Sequence, residues 1–185
     1  MMRMSVLGRV LILVSVVVLC LGGFIGQAKE SFLVLQIKGK GELRIKLFTD
    51  KAPKTTARIK ELATAKFYDN QKFFKVVRQP RPFLAQFGDP LTKTAALTDE
   101  KIGTGGSGQK IPFEDTGLHH GPGMDGLSRM PEDPNSGDCQ FYVMLGEAGF
   151  LDGKYCVFGQ VTEGLELLKK LELGDVVTTA RISER

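Results

Sequence analysis

The sequence has few of the residues that usually hold metal ions: three cysteines and two histidines among 185 residues. The histidines, His119 and His120, are adjacent, so their rings point apart in an extended chain, and no cysteine or carboxylate stands at ligand spacing from them. Residues 103–110 are rich in glycine but lack the Gly-Lys-Ser/Thr ending that seats a nucleotide phosphate. The sequence therefore predicts neither a metal site nor a nucleotide site.

Residues 1–28 have the composition of an export signal. They contain two arginines and no acidic residue, then a nearly unbroken apolar run over residues 10–25, then small residues before Lys29. The run is short for a membrane span, which takes roughly 20 apolar residues. We therefore expect a cleaved signal peptide over residues 1–28, with an uncleaved membrane anchor over residues 10–26 as the alternative. In either case the domain is exported, to the periplasm or outside the cell.

Net charge is low in the rest of the chain. Of the 25 basic and 21 acidic residues, residues 1–28 hold two basic ones and no acidic one, which leaves 23 against 21. Nucleic-acid binding needs a clustered basic face rather than such a slight excess, so no nucleic-acid partner is expected. Residues 29–185 fit one domain, since single domains commonly run to about 100 to 200 residues.

A hairpin and a helix are predicted at the start of this domain. Residues 32–38 and 42–48 flank a short Gly-Lys-Gly turn, and the second run alternates apolar and charged residues, which indicates a hairpin buried on one face. A helix is predicted to begin near Pro53, with an apolar stripe that includes Ile59 and Leu62.

The remaining patterns predict a mainly β fold. Residues 90–124 read mostly as loop, and residues 163–171 read as a short second helix with its leucines on one side. Many strands with two helices far apart in sequence favour an antiparallel barrel over a parallel sheet, which needs a helix between each strand pair. We therefore predict a closed antiparallel β-barrel of about eight strands capped by two α-helices. Further strands are expected at residues 67–89, 140–145, 155–161 and 176–182.

Two cysteines, Cys139 and Cys156, remain after the leader. Exported proteins usually meet an oxidising compartment, so one interpretation is a disulfide. The other is a pair of partly buried free thiols on neighbouring strands. We favour free thiols, because both cysteines lie in apolar strand patterns, where thiols behave as small hydrophobic groups.

A series of motifs covers almost the whole domain in a fixed order. The resemblance is to the cyclophilins, the β-barrel family of peptidyl-prolyl cis-trans isomerases, and it implies a cyclophilin-like domain over residues 29–185. The motifs that carry it are Phe73-Phe74-Lys75-Val76-Val77, Phe83-Leu84-Ala85-Gln86-Phe87-Gly88-Asp89-Pro90, Gly103-Thr104-Gly105-Gly106, Gly121-Pro122-Gly123, Gln140-Phe141-Tyr142 and Phe150-Leu151-Asp152-Gly153.

The resemblance implies Lys75 and Gln86 as catalytic residues. An arginine normally stands at position 75 in this family, aimed at the prolyl nitrogen, and the glutamine steadies it. Lysine keeps the charge but loses the planar fork of donors, so we expect weakened catalysis. The alternatives are that Lys75 is an ordinary surface lysine, with Arg78 or Arg81 reaching in instead, or that the domain binds proline without catalysis.

The same resemblance implies a substrate groove with a hydrophobic proline pocket, and it implies proline-containing polypeptides as partners, no cofactor and a monomer. Membrane contact is expected only through the N-terminal segment. Phe141 should face the core, since neighbouring strand residues point to opposite sides, and His120 should be a hydrogen-bonded structural histidine. The implied substrate-binding residues are Phe83, Leu84, Met130, Pro131, Gln140, Tyr142, Phe150, Leu151 and Tyr155.

Three groove positions depart from the family pattern. Met130-Pro131 stands where the family has a small residue followed by an asparagine whose main chain pairs with substrate, and proline has no N–H to donate. Phe150 and Tyr155 stand where many members carry tryptophan and histidine.

Overall fold

The computed structural model describes residues 29–185, which form one nine-stranded sheet and two α-helices. The expected signal or anchor lies outside these residues, and within them no helix is long and apolar enough to cross a membrane. The helices are α1 (Pro53–Thr64) and α2 (Leu165–Leu168). The strands are β1 (Ser31–Ile37), β2 (Gly41–Leu47), β3 (Gln71–Lys72), β4 (Lys75–Val77), β5 (Leu84–Phe87), β6 (Met124–Leu127), β7 (Phe141–Met144), β8 (Val157–Glu163) and β9 (Val176–Glu184).

The sheet is antiparallel and curls until its two edges meet at one chain segment. Its strand order is β3-β9-β1-β2-β8-β6-β7-β5-β4, so β3 and β4 are the edges. Only Phe73 and Phe74 separate them in sequence. The N–H of Phe73 donates to the Asp175 carbonyl beside β9 at 2.9 Å, and the N–H of Phe74 donates to the Gln86 carbonyl in β5 at 3.1 Å. The mainly β fold is confirmed. The count is nine rather than about eight: this segment divides into two short strands, and β6 is not among the strands expected from the sequence.

The first hairpin is confirmed, and its second strand shows a two-residue burial period. In β2, Leu43, Ile45 and Leu47 are buried, while Arg44 and Lys46 between them are partly exposed. The strands β1 and β2 pair along their length, from Phe32 opposite Lys46 to Ile37 opposite Gly41. One face of this hairpin therefore belongs to the core.

Helix α1 begins at Pro53, as predicted, and packs its apolar stripe into the core. Ile59 is fully buried and Leu62 is 5% exposed. Ala52 offers no side-chain cap at its N-terminus. The Glu114 carboxylate supplies one, accepting from the backbone N–H of Lys54 at 2.9 Å and of Thr55 at 2.8 Å. A residue about 60 positions away thus satisfies the first turn of the helix.

The second helix is shorter than the sequence pattern indicates, because tertiary contacts bound it on both sides. Glu163 stays in β8, and Gly164 follows with a φ of 90°, where a side chain would collide with the Glu42 carbonyl. At the other end, Arg78 Nη2 donates to the carbonyls of Leu168 and Leu171 at 2.7 and 2.8 Å. The prediction of a helix over residues 163–171 is therefore wrong at its ends.

The cysteines follow the free-thiol interpretation. Cys139 and Cys156 are both buried and unpaired as thiols. Burial raises the pKa of Cys139 to about 12 and that of Cys156 to about 11, so both stay protonated. They act as small core residues.

Asp125 is a fully buried carboxyl group in the interior strand β6, opposite Val143 and Gly159. Neither of its side-chain oxygens has a hydrogen-bond partner among residues 29–185. Burial raises its pKa well above the ordinary value, so folding requires the neutral, protonated form over a wide pH range. The contribution of Asp125 therefore lowers the free energy of unfolding as pH rises.

We expect Asp125→Asn to stabilise the protein relative to the parent by an amount that grows with pH. Between the unfolded and folded pKa values of the aspartate, each pH unit costs the parent about 1.4 kcal/mol, and asparagine has no such dependence. Urea unfolding at pH 5 and pH 7 should show the gap widening by about 1 kcal/mol or more. The exposed Asp50→Asn is the control. A constant gap would show that Asp125 is charged in the folded protein.

Candidate active site

Three predicted site residues lie in one row across neighbouring strands. Lys75 of β4 is opposite Gln86 of β5, Gln86 is opposite Tyr142 of β7, and Tyr142 is opposite Gly126 of β6. Directly opposed residues of an antiparallel sheet project to the same face. The alternate residues point inward, as Phe141 does, confirming its expected place in the core. The register therefore brings the lysine, glutamine and tyrosine together on the outer face.

A pocket of about 260 Å³ opens above this row. Its apolar lining is mainly aromatic and leucine side chains, and Lys75 and Gln86 are among its polar lining residues. An apolar pocket with a few convergent polar groups is the usual form of a small-ligand site. The lining residues are Lys75, Phe83, Leu84, Gln86, Ser128, Arg129, Pro131, Tyr142, Leu151 and Tyr155.

The three other predicted groove residues lie beside this pocket. Met130 and Gln140 line an adjoining pocket of about 400 Å³, which also contains Pro131. Phe150 is 56% exposed and stacks on Phe83, with ring centroids 5.8 Å apart. The groove thus continues past the smaller pocket, and Phe150 forms its rim.

Hydrogen bonds from its Nε2 hold the Gln86 side-chain amide in place. Its Nε2 donates to Ser128 Oγ at 2.9 Å and to Gln140 Oε1 at 3.1 Å. Gln140 in turn donates to the carbonyls of Gly103 and Gly105 at 3.0 and 2.7 Å. The chain of bonds orients Gln86, and it gives Ser128 a role that the sequence motif alone does not reveal.

Tyr142 forms the floor of the pocket. It is 4% exposed, and its hydroxyl lies 3.1 Å from Nε2 of His120, a fully buried histidine. The structural role expected for His120 is thereby confirmed. The ring lies so close to Gly126 that a side chain there would sit 2.6 Å from Tyr142 Cε2. Burial raises the pKa of Tyr142, so its phenol stays protonated.

Lys75 is exposed, and no side chain among residues 29–185 pairs with its ammonium. Lys75 also lines a different pocket, of about 440 Å³, together with Phe74 and Gln86. Arg78 does not reach the groove, because its guanidinium caps α2. Arg81 is exposed and does not line the pocket of about 260 Å³. Lys75 is therefore the cation beside Gln86.

Arg129 is a second cation in the pocket lining, and sequence reasoning missed it. Its guanidinium carbon lies 4.5 Å from the centre of the Tyr155 ring, within cation–π range. It also donates to the carbonyls of Lys154, Met130 and Pro131 at 2.7 to 2.8 Å. Its position directly after Leu127-Ser128 is the only sequence signal for it. Arg129 joins two walls of the pocket.

The family model described as "Cyclophilin type peptidyl-prolyl cis-trans isomerase/CLD" matches residues 32–185. This chain belongs to that family. The predicted membership of the cyclophilin-type peptidyl-prolyl cis-trans isomerase family is therefore confirmed. The match includes every residue of the row and of the pocket lining.

Named relatives agree with this membership. The chain is 31% identical over 154 residues to peptidyl-prolyl cis-trans isomerase B of Bacillus subtilis, covering 83% of this chain and 98% of the relative. It is 32% identical over 148 residues to a probable peptidyl-prolyl cis-trans isomerase of Brucella suis, covering 78% and 73%.

Solved cyclophilin structures share the fold. A cyclophilin-type isomerase of Cryptosporidium parvum, crystallised in the presence of the dipeptide Ala-Pro, gives a TM-score of 0.71 at 22% identity and covers 83% of this chain and 99% of its own. Cyclophilin AquaCyp293 of Hirschia baltica gives 0.67 at 21% identity, covering 82% and 76%.

The close contact between Gly126 and Tyr142 leads to a prediction about the position of the tyrosine ring in the pocket floor. Gly126→Ala should displace the tyrosine ring and weaken proline-peptide binding by about tenfold, since forced overpacking costs about 1 to 3 kcal/mol. NMR shift titration with an Ala-Pro peptide measures this affinity.

A double-variant cycle isolates the cause of that effect. Once Tyr142→Ala has removed the ring, adding Gly126→Ala should weaken binding no further. Equal effects of Gly126→Ala with and without the ring would contradict the proposed contact.

Proposed function

We propose that the pocket above the row Lys75, Gln86 and Tyr142 holds the proline of an X-Pro segment and that Lys75 stabilises the rotating peptide bond. The observation that carries this proposal is the register that sets an unpaired ammonium beside an apolar pocket of about 260 Å³. Tyr142, Leu84 and Phe83 supply the apolar surface for the proline ring. No bond is broken and no cofactor is required.

The chemistry needs a donor for the prolyl nitrogen. Amide resonance sets a rotation barrier of about 18 to 20 kcal/mol. In the twisted state the nitrogen regains a lone pair that can accept a hydrogen bond, which the planar amide cannot. A cationic donor aimed at that nitrogen therefore stabilises the transition state more than the ground state, and this difference accelerates rotation.

Lysine is a weaker donor than arginine for this task. Its ammonium is a strongly hydrated point charge on a flexible stem, so holding it over the proline costs more entropy and desolvation. The exposure of Lys75 and the lack of a pairing side chain in residues 29–185 leave its stem without an anchor. Gln86, which is anchored, steadies the substrate backbone instead.

The second candidate function is a proline-binding module without catalysis. Two observations favour it: the unanchored Lys75, and Pro131 in the groove lining, which has no N–H to pair with a substrate carbonyl. Both functions use the same pocket. They differ only in whether the bound peptide isomerises faster.

Substitutions at Lys75 separate the two functions. We expect Lys75→Ala to lower the exchange rate of an Ala-Pro peptide by about tenfold to hundredfold, the range for losing a hydrogen bond to a charged group. Lys75→Arg should raise the rate above the parent, because its planar fork is more rigid. Exchange NMR on the protein measures both.

The matched control is Lys38→Ala, which removes an exposed lysine from the first hairpin. It should leave exchange unchanged. A parent that binds the peptide but exchanges it at the uncatalysed rate is the non-catalytic module. If Lys75→Ala matches the parent while the parent is active, another group is the donor, and Arg129→Ala is the next variant to measure.

We also propose that the protein assists the folding of exported polypeptides. Residues 1–28 support this through their signal-like composition. Uncatalysed isomerisation takes tens to hundreds of seconds and can limit folding, so an isomerase in the same compartment would shorten it.

N-terminal sequencing of protein recovered from producing cells tests this proposal. We expect the mature chain to begin near Lys29, and a variant lacking residues 10–25 to stay inside the cell. An intact N-terminus in the membrane fraction would support the anchor instead. An intact N-terminus in the cytoplasm would contradict both.

A further inference from the structure

One wall of the pocket belongs to a short segment, residues 147–152. Leu151 lines the pocket, and Phe150 stacks on Phe83 at the rim. The segment forms a single 3₁₀ turn, Gly149–Leu151, with no side-chain cap. Its position therefore depends on contacts made by the residues on either side of that turn.

His119 links both ends of this segment. Its Nδ1 lies 2.6 Å from Asp152 Oδ2, and its Nε2 lies 2.7 Å from Glu147 Oε2. A neutral imidazole donates from only one nitrogen, so both contacts are hydrogen bonds only when the ring carries two protons. The bonds to Asp152 and then Glu147 raise the pKa of His119. The imidazolium thus bridges the two carboxylates.

Asp152 connects this bridge to the pocket floor. Its Oδ1 accepts from the backbone N–H of His120 at 2.9 Å and from Nδ1 of the same ring at 2.8 Å. Nε2 of His120 is then free to accept from the Tyr142 hydroxyl at 3.1 Å. Burial opposes ionisation of Asp152, but the hydrogen bonds from His119 and His120 lower its pKa to about 2. Burial lowers the pKa of His120, which favours the neutral ring.

We propose that His119 is a positioning residue for the proline pocket, holding the wall at residues 147–152 against the floor through Asp152, His120 and Tyr142. When the ring becomes neutral, one of its nitrogens presents a lone pair to a carboxylate, and one of the two contacts turns repulsive. The wall then loses an anchor while Lys75 and Gln86 are untouched. This inference rests on the proposed use of the pocket for proline.

The direction of the pH dependence follows from the geometry. The charged groups that face His119 are Glu147 and Asp152, with His120 behind Asp152. On the opposite side of the segment, Lys154 Nζ donates to the Phe150 carbonyl at 2.9 Å. Since the pKa of His119 is raised, the bridge is complete at acid pH and is lost as pH rises through that pKa. Peptide affinity should fall over the same range.

The test is the KM and kcat of the protein for an Ala-Pro peptide at pH 6 and pH 9. We expect KM of the parent to rise by about two- to fivefold with little change in kcat, the scale of an exposed ion pair. His119→Gln, which does not titrate, should show the higher KM at both pH values. His119→Lys keeps a cation and should retain the lower KM at both.

The chain offers a direct spectroscopic check, because it has only two histidines. The ring resonance that disappears in His119→Gln identifies His119, and its titration midpoint should coincide with the rise in KM. A flat KM in an active parent, or a rise that persists in His119→Gln, would overturn the inference and leave the proposed function intact. A parent that neither binds nor isomerises the peptide at pH 6 would overturn both.

Discussion

Closure of the sheet at residues 71–77 is the constraint on which the rest of the structure depends. The N–H groups of Phe73 and Phe74 donate to opposite edges of the sheet, so a single extended segment ties β9 to β5. The residue that follows, Lys75, begins β4 directly opposite Gln86. The same closure that completes the core therefore sets the position of the cation. A slip of one residue would turn the lysine inward.

The pocket is built from parts that are far apart in sequence and differently anchored. Its floor is anchored in the interior, because Tyr142 lies on Gly126 and is bonded to a buried histidine. Gln86 is bonded on one side by Ser128 and Gln140. The wall at residues 147–152 is held from the surface by His119 and Lys154 and from the interior by the buried Ala148, whose backbone N–H donates to the His120 carbonyl at 2.9 Å. The anchors of the floor are thus buried, while the wall also has exposed anchors, and these are the ones that solution conditions affect.

Much of the fold and of the site follows from sequence pattern. The alternation in residues 42–48, the proline at the start of α1 and the ordered motifs from Phe73 to Gly153 led to the correct architecture and to eight of the ten residues that line the pocket, all but Ser128 and Arg129. The ends of α2 and the role of Arg78 were not predictable in this way. Both depend on contacts between residues about 90 positions apart, which local periodicity does not encode.

The sequence by itself determined the family, the mainly β architecture and the substitution of lysine for arginine at position 75, because these follow from residue identity and from local order. Tertiary structure alone decided which cations reach the pocket: Arg78 is committed to α2, while Arg129 enters the lining. It also decided that His119, Asp152, His120 and Tyr142 form one connected chain. The physical reason is that hydrogen bonds between side chains depend on distances of about 3 Å, which only the folded arrangement of distant segments sets.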